Sequence, residues 1–509
     1  MGNEAKIIDE SLSVRDGRLY VEECDAVKLV EQFGSPIFVL SEKMLRSNIR
    51  RFKKAFEINW PEGRVTVMPA IKANVTLSTR MILTQEGAGV DVYSPGELRA
   101  ALDSGADPEV ISVNGGGKDK EHIRNSIKSG CRITLDDVDE LDLVEKVADE
   151  LNMKAKIRFR VRPDFPNLWR PTAFTLELVP IDLGTQAYKN GIPTEHVIEL
   201  GKRALKMKNV ELVGFHLHTG RHHDTLWYWQ GMMQQYVKLI ATLKKEWDGY
   251  EPKEVSIGGG FPIPRDPFGR MMNRLDAPLF MIFFPIMAFL RILGDRARYK
   301  TLSTVMQLIL TRTPNKKLAP TIEDFAEATM GSFRKAMLKH KLNMKGLHFQ
   351  VEPGRSLYGN AGIHLSTVLK TKHQKKPIVW NWVLLDTTYF FLTGGAYEQH
   401  LHDFIWANKP EEKPVMTADI VGRSCYGDRM IPEVRVPELK SGDIIAILDT
   451  GAYQEVSASN FNALPRPATI LVNGSSAEII KKAETIEDVF RRDIIPERLK
   501  TVQTPSKAI

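Results

Sequence analysis

From about residue 36 to residue 260 the chain alternates short apolar, β-branched runs with longer stretches whose apolar positions recur at helical spacing. The short runs are "PIFVL" (36–40), "VTVMPAI" (65–71), "GVDVYS" (89–94), "VISVNG" (110–115), "RITLDD" (132–137), "KIRFRVRP" (156–163), "VELVGFHLH" (210–218) and "EVSIGGG" (254–260). Between the first two lies "SEKMLRSNIRRFKKAF", a helix pattern with Ser41 as its N-cap. In "PGELRAALDSG", Pro95 suits the first helical turn and Gly105 the exit. Strands alternating with helices predict parallel βα units. About eight such units in roughly 250 residues predict an α/β fold with a closed (β/α)8 TIM barrel. The chemistry of such a barrel belongs at the C-terminal strand ends, and Lys72, Asp91, Asn114, Arg160, His218, Gly258, Gly259 and Gly260 fall there.

After about residue 360 the texture changes. "HLSTVLKTK", "NWVLLDTT", "PVMTADIVG", "DIIAILDTGAY" and "PATILVNG" are strand-like runs separated by Gly and Pro. They predict a C-terminal β-sandwich or barrel-like domain over 361–509, after a barrel at 36–360. Residues 1–35 hold "LSVRDGRLYVE", whose "DG" reads as a hairpin turn and whose strands are expected to join the β domain. An insertion at about 266–315 interrupts the barrel pattern. Its Ala277–Leu290 stretch, "APLFMIFFPIMAFL", carries no charge, and the basic "RILGDRARYK" follows. It is shorter than the ~20 apolar residues of a bilayer span, and Pro285 breaks it. It reads as a buried helical hairpin or subunit contact. The competing reading is a weak membrane or apolar-substrate contact through 277–293, since apolar-then-basic is the pattern of an interfacial helix.

Composition narrows the function classes. The 509 residues are 43% hydrophobic and 26% charged, with mean hydropathy −0.23, the profile of a soluble globular protein. The net charge of +7 comes from dispersed Lys and Arg, not from one block, so no nucleic-acid partner is expected. Cys24, Cys131 and Cys425 are too few and too scattered for a disulfide framework or a zinc site, which fits a reducing compartment. "MGNEAKIIDE" shows no apolar signal region and lacks the residue that myristoylation wants, so a cytoplasmic location is expected.

Several residues carry chemistry. Lysine is seldom buried, yet Lys72 follows an apolar strand. A desolvated amine loses its proton more readily and becomes a nucleophile able to hold an aldehyde cofactor as a Schiff base. Three glycines in "SIGGGFP" let bare backbone N–H groups approach a phosphate. "VEPGRSLYG" places Glu352, Gly354 and Arg355 at another strand end. His216 and His218 share a strand face, without a carboxylate or cysteine cluster nearby to complete a metal site. "GRSCYGD" holds Cys425 and Asp428 in a Gly-flanked loop, and "DTGAYQEVSASNFN" holds Tyr453.

"PAIKAN", "GVDVYSPGEL", "FHLHTG", "SIGGGFP", "EPGR", "SCYGD" and "GAYQEVSASNFN" come in the order found in the fold type III (alanine racemase-like) pyridoxal 5'-phosphate (PLP) decarboxylases. The chain resembles that group, which includes diaminopimelate and ornithine decarboxylases, from about residue 14 to 475 outside the insertion. The resemblance implies a PLP-dependent carboxy-lyase in which Lys72 carries the cofactor as a Schiff base and His218 stacks on its ring. It implies that Glu352 keeps the ring nitrogen protonated, which makes the ring an electron sink. Gly258, Gly259, Gly260, Gly354, Arg355 and Tyr453 would hold the phosphate, with Asp91 and Arg160 nearby. Cys425 and Asp428 would come from a partner subunit, making a homodimer with shared active sites the minimum active unit. Removing CO2 leaves an electron pair on Cα, and a thiol of pKa near ~8.5 can return a proton there at neutral pH. The alternatives are an amino acid racemase or epimerase on the same fold, and a non-catalytic regulator.

Three departures concern the substrate. The serine expected after the His motif is replaced by Arg221, a charge able to meet phosphate or a substrate anion. The Arg-Pro-x-x-Tyr motif typical of diaminopimelate decarboxylases is missing from "LLDTTYFFLTGGAYEQHLHDF", where only Tyr397 lies near the expected tyrosine. The acidic residue expected after the cysteine is Tyr426, and the spacing to Asp428 is one shorter. The expected activity is therefore amino acid decarboxylation, with diaminopimelate the nearest named substrate and a larger or more apolar amino acid the other option.

Overall fold

The computed structural model describes residues 6–165, 189–218, 226–263, 320–376, 379–393 and 402–500. Arg221, Tyr397 and the insertion lie outside the described residues.

The N-terminal strands are β1 (Lys6–Ile7), β2 (Leu12–Arg15), β3 (Arg18–Val21) and β4 (Cys24–Asp25). Asp16 and Gly17 both take positive φ between β2 and β3, the geometry of the expected "DG" hairpin. These strands form a four-stranded sheet of their own and do not enter the sheet of the C-terminal domain. Leu12, Leu19 and Val21 nevertheless share that domain's core, and Leu19 N–H donates to Ala407 O at 2.8 Å.

The run "PIFVL" is not a barrel strand. It is β5 (Ile37–Ser41), antiparallel to β14 (Gly362–Gln374) and parallel to β20 (Ala468–Asn473) in the β domain. Its alternate residues enter different cores: Ile37 and Val39 one, Phe38 the other. A strand buried on both faces reads as a continuous apolar run, the same signature as a parallel barrel strand.

The barrel consists of β6 (Val65–Val67), β7 (Val90–Val92), β8 (Ile111–Val113), β9 (Arg132–Leu135), β10 (Ala155–Val161), β11 (Val210–Leu217), β12 (Glu254–Ser256) and β13 (His348–Val351). Their order is β6-β13-β12-β11-β10-β9-β8-β7, and every described pairing is parallel. A parallel bridge between Ala70 and Asp91 closes the ring. The eighth strand thus lies beyond the insertion, in "LHFQVEP".

Outward barrel residues are apolar and pack on the helices. Phe159 and Phe215 meet Trp247, while Phe349 meets Trp60 and Phe333. The helices begin as the caps dictate: Ser41 accepts from Met44 N–H and Ser94 from Glu97 N–H. The inward residues are polar. Ser112, Thr134, Arg158, Glu254 and Gln350 are all buried in the lumen, and Arg158 on β10 reaches Gln350 on β13 across it.

The rest of the β domain comprises β15 (Trp380–Leu385), β16 (Phe404–Trp406), β17 (Met416–Val421), β18 (Arg429–Val436), β19 (Ile444–Ile447) and β21 (Ser476–Lys481). The long β14 pairs first with β5 and β19 and then with β15, so it joins the two halves of the domain. No helix among the described residues is long and apolar enough to cross a membrane.

Candidate active site

The site forms at the C-terminal ends of the barrel strands. Strand β6 stops at Val67, and Lys72 lies in a 3-10 turn, Ile71–Ala73, rather than at the strand end itself. The β domain fixes this turn: Tyr453 N–H donates to Ala73 O at 2.8 Å, and Asn74 Nδ2 donates to Gly451 O at 3.1 Å. The surroundings of Lys72 are densely packed, yet 47% of its side chain is open. Its neighbours Ile71 and Ala73 are buried, so the turn presents the amine in the open rather than in solid core. Its Nζ is 3.5 Å from Asp91 Oδ2 and 6.0 Å from the Tyr93 ring centre.

The charge state of Lys72 differs from the expectation of a neutral amine. Burial is the largest single influence and pulls its pKa down, but Asp91, Tyr453 and Glu352 together outweigh it and the net direction is up. Asp91 moves up as well, through its own burial and the nearby Glu352, against the pull of Lys72. An ion pair, not desolvation alone, sets the amine's proton affinity.

Glu352, just past β13, is the hub. Its Oε2 accepts from His216 Nε2 at 2.8 Å and from Asn114 Nδ2 at 3.3 Å, and its Oε1 accepts from Ser256 Oγ at 3.2 Å. Asn114 Nδ2 also donates to Asp91 Oδ1 at 2.6 Å, linking hub to lysine. Burial pushes the Glu352 pKa up, but His216 and Arg158 outweigh it and hold the carboxyl well below the usual range. Burial and the cations Arg160 and Lys72 hold His218 well below an ordinary histidine. Its Nδ1 accepts Gly259 N–H at 3.2 Å, which places the ring proton on Nε2.

Backbone space completes the site. A Cβ on Gly259 would lie 2.1 Å from Glu352 O, and one on Gly258, which has φ +66°, would lie 2.6 Å from His218 Nδ1. A Cβ on Gly354 would lie 2.5 Å from the Tyr453 hydroxyl. Gly260 follows with φ +108°. The Arg355 guanidinium sits 5.1 Å from the Tyr453 ring centre, beside this glycine cradle. Arg160 Nη1 donates to Asp136 Oδ1 at 3.0 Å.

The other expected residues lie in the β domain, in the loop between β17 and β18. Cys425 is exposed, and its N–H donates to Asn462 Oδ1 at 2.9 Å. Tyr426 is 71% exposed and meets Phe390 edge-on at 5.6 Å, with Phe390 stacked on Phe461 at 4.0 Å. Asp428 is buried and its carboxylate is occupied: Oδ1 accepts Tyr389 N–H and Oδ2 accepts Ser424 N–H. It shapes the cysteine loop through these two backbone hydrogen bonds. Tyr93, Ser256, Asp136 and Arg158 also belong to the site and its lining. Their signal in the sequence is the polar, inward member of each alternating strand.

A half-open amine paired with a buried carboxylate, a glycine cradle in which added Cβ atoms would clash, and a second buried carboxylate held ionised together fit PLP. These features on a (β/α)8 barrel with a β domain define a fold type III PLP-dependent amino acid decarboxylase. The family profile "Pyridoxal-dependent decarboxylase, pyridoxal binding domain" matches residues 42–280. The chain is similar over nearly its whole length to diaminopimelate decarboxylases and is a PLP-dependent carboxy-lyase. It is 29% identical to the diaminopimelate decarboxylase of Methanocaldococcus jannaschii, over 96% of this chain and 98% of that protein. It is 29% identical to the one from Archaeoglobus fulgidus, over 96% and 99%. The crystal structure of the M. jannaschii enzyme in co-complex with L-lysine superposes with a TM-score of 0.79 at 27% identity, covering 96% and 99%.

Proposed function

We propose that this decarboxylase removes CO2 from the Cα of a diamino acid, that Lys72 holds the cofactor, and that Cys425 of a second copy returns the proton. The observation that carries the reading is the linked array Lys72–Asp91–Asn114–Glu352–His216, which joins a half-open amine to two buried carboxylates through alternating charges and donors. When bound, PLP accepts the electron pair that the departing CO2 leaves on Cα. Lys72 binds the cofactor through its amine, and Asp91 governs the proton that the amine must lose. Glu352, oriented by His216, Asn114 and Ser256, would meet the ring nitrogen and hold a proton there. Glycines 258–260 and 354, with Arg355 and Tyr453, form the cradle for the phosphate. His218, fixed by the Gly259 N–H, would pack against the ring.

Diaminopimelate is the substrate suggested by the names of the relatives. Loss of CO2 from one end of diaminopimelate leaves lysine, the ligand in the M. jannaschii co-complex. A second reading of the substrate rests on the loop around Cys425. There Tyr426, Phe390 and Phe461 form an aromatic face beside the thiol, which suits an apolar or aromatic distal group.

CO2 release from L-, D- and meso-amino acids tests both readings. A clear optimum with meso-diaminopimelate supports the first, and an optimum with an apolar amino acid supports the second. Racemisation without CO2 release refutes both. Mixing Lys72→Ala with Cys425→Ala protein tests the shared site. Random exchange between homodimers restores up to about a quarter of wild-type activity if the thiol comes from the second copy, and none if it comes from the same chain.

A further inference from the structure

Beneath Glu352, inside the barrel, lies Arg158, a cation that the reaction itself does not use. It is on β10 and none of its side chain is exposed. Its guanidinium donates to Thr134 Oγ1 at 2.9 Å, and to Ser112 Oγ and Gln350 Oε1. These partners stand on β9, β8 and β13, so the group occupies the lumen and is anchored from three sides. Its Nη2 is 3.8 Å from Glu352 Oε1, and its Nε is 3.7 Å from Glu254 Oε1.

The lumen is a stack of paired charges. From the bottom, Arg132 bonds Glu254, Arg158 lies between Glu254 and Glu352, Arg160 bonds Asp136, and Lys72 faces Asp91. A buried guanidinium is costly unless its charge is matched. Two carboxylates match this one, and the upper of the two is the hub. His216, Asn114 and Ser256 supply hydrogen bonds to Glu352 from the sides, and Arg158 is the full positive charge closest below it.

The geometry points to Arg158 as a positioning residue for the cofactor's ring nitrogen: from beneath Glu352 it keeps that carboxylate ionised and aimed upward, so the proton between them rests on the ring. This rests on the reading that Glu352 faces the ring nitrogen. Without Arg158, the buried carboxyl takes the proton itself and meets the ring as a neutral acid. A neutral acid tolerates a ring without the nitrogen far better than a carboxylate does. Arg158 thereby sets how strongly the site discriminates between a pyridine and its carbon analogue.

The test compares PLP with 1-deazapyridoxal 5'-phosphate, in which carbon replaces the ring nitrogen. Full-length protein is stripped of cofactor, and the affinity for each compound is measured by absorbance. Wild type prefers PLP. Each pH unit of proton affinity that Arg158 removes from Glu352 corresponds to about tenfold in that preference. Arg158→Gln is expected to lose at least about tenfold of it. Arg158→Lys, which keeps the charge, retains most of it. If Arg158→Gln does not fold, the charge-neutral pair Arg158→Met with Glu254→Gln replaces it and predicts the same loss. A merely structural role weakens both compounds equally and leaves the ratio at the wild-type value, which overturns the inference. A wild-type ratio of one, or a Glu352→Gln ratio equal to wild type, refutes instead the pairing of Glu352 with the ring nitrogen.

Discussion

Replacing Asp91 by Asn removes the carboxylate that holds the proton on Lys72, and the size of the effect follows from the geometry. The two charges are 3.5 Å apart, with Asp91 buried and Lys72 47% open. At that distance Coulomb attraction is about 5 kcal/mol for an effective dielectric constant near 20 and about 1 kcal/mol in bulk water. A half-open lysine lies between these limits, so the pair is worth about 2 kcal/mol. That corresponds to about 1.5 pH units on the lysine. The Asn variant is isosteric and keeps a hydrogen-bonding group toward Asn114. The assay is competitive acetylation of the cofactor-free protein at graded pH, with Lys72 quantified by mass spectrometry against exposed lysines. Wild-type Lys72 titrates above ordinary lysines, because the net direction of its shift is upward. In Asp91→Asn the midpoint falls by about 1.5 units, and PLP uptake at neutral pH becomes faster. A midpoint that stays put or rises refutes the reasoning, because burial would then be setting the amine's proton affinity without the ion pair.

Three further outcomes follow from the same structure. Gly259→Ala drives a methyl to 2.1 Å from Glu352 O, so PLP affinity falls at least about tenfold and stability drops by roughly 1–3 kcal/mol, read by absorbance titration and denaturant unfolding. Glu254 is held at a pKa of about 2, where His348, Arg158 and Arg132 outweigh burial. A carboxyl lowered on folding contributes stability above its unfolded value of about 4.3 that is lost as pH falls towards the folded value. Acid unfolding of wild type therefore steepens across that window, and Glu254→Gln flattens that part of the profile. Asp428→Ala leaves the backbone N–H groups of Tyr389 and Ser424 without their carboxylate and costs about 1–3 kcal/mol. It loosens the Cys425 loop, so kcat falls while PLP affinity, measured separately, stays at the wild-type value.

The alternation of apolar runs and helical patterns was enough to indicate the barrel, and the order of the motifs along the chain was enough to indicate a PLP-dependent decarboxylase. Both are written in short segments, where side-chain period and turn residues act without long-range help. The same local signal misassigned "PIFVL". Ile37 and Val39 face one core and Phe38 another, and a strand covered on both sides looks alike in a barrel and in a β domain. The eighth barrel strand escaped notice because "HFQV" alternates polar with apolar residues. Its polar members His348 and Gln350 turn into a charged lumen that no single strand reveals.

The sequence by itself determined the likeness to PLP-dependent decarboxylases and the cofactor, because each depends on residue types at fixed spacing along short stretches of chain. Only the tertiary structure decided the charge states. Lys72 is shifted upward because Asp91, on the next strand of the ring, lies 3.5 Å away and acts with Tyr453 and Glu352 against burial, and Glu352 is shifted downward because His216 and Arg158 arrive from β11 and β10. Electrostatic interaction depends on distance through space, and closing the barrel is what brings these residues, far apart in the chain, within reach of one another.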